Sequence, residues 1–240
     1  MPSNPFHGLP ITTSAAARER VLNDPEVAEV WAAADTLGYP FGPFFKLTIL
    51  TMQRRSEVAG MRWSEIAGVL SQWTLAGRRM KAGREHDVHL AEPARAILRE
   101  IPRYEGCDFV LSTTGRTPIS GISKAKTMLD AAIVSARAET AARAGHKAQP
   151  LVRWRIHDLR RTGVSALARL GFDSIVVDKI LAHQPAKLLG VAAVYQRHDF
   201  ARERAAALDA WGAHVLGAKG DNIVRLSPAT SAAGRGRSPA

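Results

Sequence analysis

The chain has 240 residues, 46% of them hydrophobic, which is room for one large domain or two small ones with a real core. Its 33 Lys and Arg against 22 Asp and Glu give a formal charge of +11, which suits a polyanionic partner, nucleic acid or anionic lipid, and equally a solvated basic surface. The single cysteine, Cys107, excludes an internal disulfide framework and a multi-cysteine zinc site, and no apolar run reaches the roughly 18 residues of a membrane span.

The first residues hold Pro2, Pro5, Gly8 and Pro10 and read as a linker, with no basic start followed by an apolar stretch that would mark a signal peptide. A soluble, cytoplasmic protein is therefore expected. Asn23-Asp24-Pro25-Glu26 is a helix start: Asn23 or Asp24 caps free amides, Pro25 suits the first turn and Glu26 complements the dipole. Val27, Val30, Trp31 and Ala34 follow at helical spacing until Gly38. Further helices are predicted over residues 42–50 and 55–61. The pattern then changes to short strands at 73–75 and 86–90, with Ala82-Gly83 as the turn between them. From Glu92 the chain is helical again, apart from a strand predicted at 109–111. Helices are expected over 120–144, 157–170, 174–181, 188–197 and 200–216, with a loop at 145–150. The expected fold is mainly α with a small antiparallel β-sheet, an α+β class. The domain is expected over residues 22–218, after an N-terminal linker at 1–21 and before a disordered tail at 219–240 rich in Ser, Pro, Gly and Ala.

Four segments carry polar side chains with chemical potential. In His157-Asp158-Leu159-Arg160 the His and Arg stand one helical turn apart and project to the same side, an arrangement suited to an oxyanion such as phosphate. Leu159, Ala166 and Leu170 lie on another stripe that can hold this helix in a core. Arg54 and Glu57 are likewise one turn apart, so the carboxylate can align the guanidinium fork, although a surface pair at this spacing is also common. Lys81 falls at the end of a strand beside a turn, where it serves either as a reaching cation or as a solvated hairpin lysine. Last come Leu181-Ala182-His183 and Val194-Tyr195-Gln196-Arg197. A phenol with a pKa of about 10 needs a base and a stabilised target before it can act as a nucleophile. Taken singly, each of these groups has an ordinary structural explanation.

Their order along the chain does not. The series Arg54, Lys81, His157-x-x-Arg160, His183, Tyr195 resembles the active-site set of the tyrosine recombinase (phage integrase) family. The words LTMQRRSEVAGMRWSEI, HDLRRTGVSALARLG, ILAH and VYQRHD resemble that family's two arginine boxes and its final box, and the likeness runs over residues 22–216. The resemblance implies the family's catalytic-domain fold and site-specific DNA cleavage and rejoining through a 3′-phosphotyrosyl bond, without cofactor or metal. It implies Tyr195 as the nucleophile, Arg54 and Arg160 as the clamp on the non-bridging oxygens, and Lys81 as the acid for the leaving 5′-oxygen. It implies His157 as the acceptor of the tyrosine proton, His183 as a phosphate hydrogen-bond donor and Glu57 as the support of Arg54. Implied partners are double-stranded DNA attachment sites and a homotetramer on DNA, with a monomer in solution and no membrane.

Two departures stand out. Met52 follows Thr51 where the family usually has Gly, and Pro185 and Gly190 lie between His183 and Tyr195. The chain also has no room for the family's N-terminal DNA clamp, which predicts weak, salt-sensitive DNA binding. Two alternatives remain: a catalytically silent DNA-binding remnant, and a type IB topoisomerase sharing the same chemistry.

Overall fold

The structure is a computed structural model and describes residues 19–80, 83–183 and 199–217. Among these residues the chain forms α1 (Asp24–Leu37), α2 (Phe41–Thr51), α3 (Arg55–Ala59), β1 (Gln72–Leu75), β2 (His86–His89), α4 (Glu92–Glu100), α5 (Ile122–Arg143), α6 (Ile156–Arg169), α7 (Ser174–Ile180) and α8 (Ala201–Val215). The expected linker and tail fall almost wholly outside the described residues, as does the helix predicted over 188–197. The mainly α fold with a two-stranded antiparallel sheet matches the expectation.

α1 begins as its sequence dictates. The Asn23 side chain accepts from Glu26 N, the Glu26 carboxylate accepts from Asn23 N, and Pro25 occupies the first turn. α2 is apolar nearly all round and is correspondingly the central helix, packed by α1, α3, α4, α6 and α8. Phe44, Phe45, Leu47, Ile49 and Leu50 are all buried there. α1 and α2 approach so closely that a Cβ on Gly42 would lie 2.4 Å from Ala34 O, so only glycine fits.

The strands pair Gln72 with His89, Trp73 with Val88, Thr74 with Asp87 and Leu75 with His86. Alternation turns Trp73, Leu75, Val88 and His86 inward. The connection between the strands, residues 76–85, includes a 3₁₀ turn at Gly77–Arg79, and Gly83 N bonds back to Met80 O, closing a turn where one is expected. Residues 109–111 do not form the predicted strand. Phe109 makes an isolated bridge with Arg62 and Val110 N donates to Met61 O, while Val110 and Leu111 are buried as core anchors.

α8 packs on its own domain. Leu208 and Trp211 are buried, and the Trp211 indole donates to Ile49 O at 2.9 Å, deep on α2. The apolar face of this helix turns inward.

α2 ends at Met52, which takes a left-handed conformation (φ 56°) with a fully buried side chain. The room for that side chain comes from Gly163 on α6, where an added Cβ would lie 2.8 Å from Met52 Cγ and Sδ. Met52 has no solvent to move into, so Gly163→Ala should lower stability by about 1–3 kcal/mol, the usual cost of overpacking a core. Urea unfolding checks this, and an unchanged midpoint would mean the contact is slack.

Candidate active site

The site is built where the ends of α2 and α7 meet the first turn of α6. Arg160 projects from α6 and is only 4% exposed. One terminal nitrogen, Nη1, donates to Met52 O at 2.7 Å and the other, Nη2, donates to Leu181 O at 2.5 Å. Both acceptors are C-cap residues, of α2 and α7 respectively. One guanidinium therefore caps two helices at the ends where carbonyls are unpaired and the dipole is negative. Because a guanidinium has five N–H groups, these two bonds leave part of the fork for a ligand.

Arg54 stands at the N-cap of α3, immediately after the Met52–Gln53 corner. Glu57 is not the surface partner that its spacing alone allows: it is 4% exposed and holds Arg54 twice, accepting from Arg54 Nη1 at 2.8 Å and from Arg54 N at 2.8 Å. A buried carboxylate with two bonds to one arginine fixes both its backbone and its fork. α6 starts in a parallel way, with Asp158 accepting from Arg155 N at 2.8 Å, so that His157 lies in the first turn.

Arg54, His157 and Arg160 line one groove of about 610 Å³. The same groove is lined by Gln53, Arg55, Lys126, Trp154 and Arg155, which the sequence reading did not single out. Lys126 stacks 3.8 Å above the Trp154 ring and pairs with Asp130 at 2.5 Å. Cations dominate the lining, as a polyanion requires.

The charges act on one another. Burial, then the neighbouring Arg54, pushes Arg160 down to about 10, which leaves it cationic at neutral pH. Burial and then the charges of Arg160 and Arg161 lower the His157 imidazole below its ordinary value, so His157 is neutral at pH 7 and able to accept a proton.

His183 is placed differently. It follows α7, half exposed, with Nδ1 3.3 Å from Asp178 Oδ1, and it is not among the residues lining the groove. Its link to the site is through the backbone, two residues after the Leu181 carbonyl that Arg160 holds. Lys81 and Tyr195 lie outside the described residues. The structure thus brings together Arg54, Glu57, His157 and Arg160 of the expected set.

The model of the phage integrase family matches residues 20–202, more than half of the chain and a span that contains these four residues. The chain belongs to the phage integrase family. Prophage integrase IntA of Escherichia coli (strain K12) is 29% identical to this family member over 181 residues, which is 75% of this chain and 40% of that protein. The chain thus spans about two fifths of the length of that relative. Among solved structures, XerA recombinase superposes with a TM-score of 0.51 at 16% identity, covering 82% of this chain and 67% of that one. The integrase from mycobacterium phage Brujita gives 0.50 at 15% identity, covering 84% and 64%. A lambda integrase tetramer bound to a Holliday junction gives 0.50 at 16% identity, covering 74% and 51%. At such identities the likeness is one of fold, and it is the fold expected from the motifs. Among the described residues no helix is long and apolar enough to cross a membrane.

The histidine environment has a measurable consequence. His157 and the buried His86 are both shifted down, chiefly by burial, whereas the unfolded chain holds imidazoles at about 6.5. Below that pH the unfolded state binds more protons. Their contribution to stability is therefore complete above about 6.5 and is lost as pH falls toward the folded values. An NMR titration should place His157 below about 6.5, and Arg161→Gln should move it upward. A midpoint above the unfolded value would contradict this electrostatic account.

Proposed function

We propose that this protein cuts and rejoins double-stranded DNA at specific sites through a 3′-phosphotyrosyl bond to Tyr195. The observation that supports the reading most is the groove in which Arg54, His157 and Arg160 meet, with Glu57 buried behind Arg54, in a member of the phage integrase family. Lys81 and Tyr195 are assigned by the family motifs.

In this reading the scissile phosphate sits between the two guanidiniums, whose N–H groups meet the charge that grows on the non-bridging oxygens. The Tyr195 oxygen bonds to phosphorus as the bond to the 5′-oxygen breaks. The phenol proton goes to neutral His157, and the leaving 5′-oxygen takes a proton from Lys81. One phosphodiester is exchanged for a phosphotyrosyl ester of similar energy, so no ATP is consumed. Two arginines and a lysine supply the positive charge without a metal. A 5′-hydroxyl from a partner strand reverses the step and seals the new joint. His183 donates to the phosphate in the same scheme, after a change in its present exposed placement. The protein acts as a tetramer on paired attachment sites and is a monomer without DNA. A relative solved as a tetramer on a Holliday junction supports that stoichiometry.

A nicked suicide substrate tests the reading, because the 5′-hydroxyl needed for resealing diffuses away and the adduct accumulates. The protein should form a covalent DNA adduct resistant to denaturation, and Tyr195→Phe should form none. Persistence of the adduct in Tyr195→Phe would overturn the nucleophile assignment. Light scattering without DNA should give a monomer mass, and a stable tetramer would overturn that part of the reading.

A further inference from the structure

Every backbone carbonyl in the C-terminal turn of α7 has a partner, and one of these partners, His86, lies outside the proposed chemistry. Ala182 adopts a left-handed conformation (φ 50°). Ala182 N then bonds to Lys179 O at 3.1 Å and His183 N to Asp178 O at 3.0 Å. These two bonds close a Schellman motif and fix the backbone on which His183 leaves the helix. Two carbonyls remain, those of Ile180 and Leu181, and neither has a partner within the helix. Leu181 O is taken by Arg160 at 2.5 Å. Ile180 O is taken by two side chains at once, Gln53 Nε2 at 2.9 Å and His86 Nε2 at 3.0 Å.

We propose that His86, together with Gln53, is a positioning residue that clasps the end of α7 so that Leu181 O orients Arg160 and the following turn places His183. The inference rests on the catalytic reading above for its consequence, though not for its geometry. Gln53 reaches from the corner just before Arg54 and also donates to Thr51 O at 2.9 Å, tying that corner to the same point. His86 reaches from β2, where strand alternation turns it inward. A carbonyl oxygen can only accept, so His86 must carry its proton on Nε2. Burial, with the nearby Arg204 and Arg160 charges, lowers its pKa against the opposing pull of the Ile180 carbonyl and Glu57, so the ring is neutral at pH 7. A neutral ring with the Nε2 proton suits this place: it offers the required donor without a further charge beside a buried guanidinium.

The test compares His86→Leu, which removes the donor, with His86→Gln, which restores a side-chain N–H at similar reach. In single-turnover cleavage of the nicked substrate, His86→Leu should slow the chemical step about tenfold or more, the scale of a small misplacement of catalytic groups. DNA affinity should stay within about twofold, as expected when only transition-state contacts are lost. His86→Gln should recover most of the rate. Equal losses in both variants, or wild-type cleavage by His86→Leu, would overturn the proposal. Two measurements do not depend on catalysis. Long-range ¹H–¹⁵N spectra of the wild type should report the Nε2–H tautomer at neutral pH, and amide exchange at Ala182 and His183 should accelerate in His86→Leu but not in His86→Gln. The Nδ1–H tautomer, or unchanged exchange, would overturn the clasp even if the protein cleaves DNA. If the clasp is observed by these means and the wild type forms no adduct, it is the catalytic reading that fails.

Discussion

A guanidinium withdrawn from water must find acceptors, and at Arg160 the acceptors are the ends of two helices. This constraint organises the site. The carbonyls of Met52 and Leu181 close α2 and α7, and among the described residues Arg160 is the hydrogen-bond partner of both. Leaving a buried acceptor unpaired costs roughly 1–3 kcal/mol, so the cation and the two helix ends stabilise one another. The group proposed to bind phosphate is thereby held in orientation before any DNA arrives, which is the condition under which charge stabilisation accelerates a reaction.

The same corner explains how the chain accommodates methionine where the family usually has glycine. A left-handed residue after α2 aims the Met52 carbonyl at Arg160, and glycine would reach that conformation more easily. The methionine is accommodated because Gly163, one turn beyond Arg160 on α6, leaves the space its side chain fills. Backbone direction at position 52 and the absence of a side chain at position 163 thus serve a single contact.

Much of the fold was legible in the sequence because local rules and tertiary packing agree. The Asn23 cap, Pro25 and the apolar spacing of Val27, Val30 and Ala34 fix α1, and Phe44, Phe45, Leu47, Ile49 and Leu50, interrupted by Lys46 and Thr48, mark a largely buried helix. The strand predicted at 109–111 failed because a short apolar run can serve as a core anchor as readily as a strand. There Val110 and Leu111 are buried beside a single bridge. Within the site, Arg54, Glu57, His157 and Arg160 were readable from motif order, but the burial of Glu57 and the helix-capping role of Arg160 were not. Gln53 and His86 carried no signal at all: their bonds to Ile180 O join positions 127 and 94 residues apart, and no local pattern encodes such a contact.

The central claim is that Arg160 meets charge on the scissile phosphate. Its most direct test replaces a non-bridging oxygen of that phosphate with a methyl group, which removes the charge. On ordinary DNA, Arg160→Ala should lose cleavage. On the methylphosphonate substrate it should cleave again through Tyr195, which would also show that the variant is folded. An Arg160→Ala protein that binds both substrates and cleaves neither, or that cleaves ordinary DNA at the wild-type rate, would contradict the account.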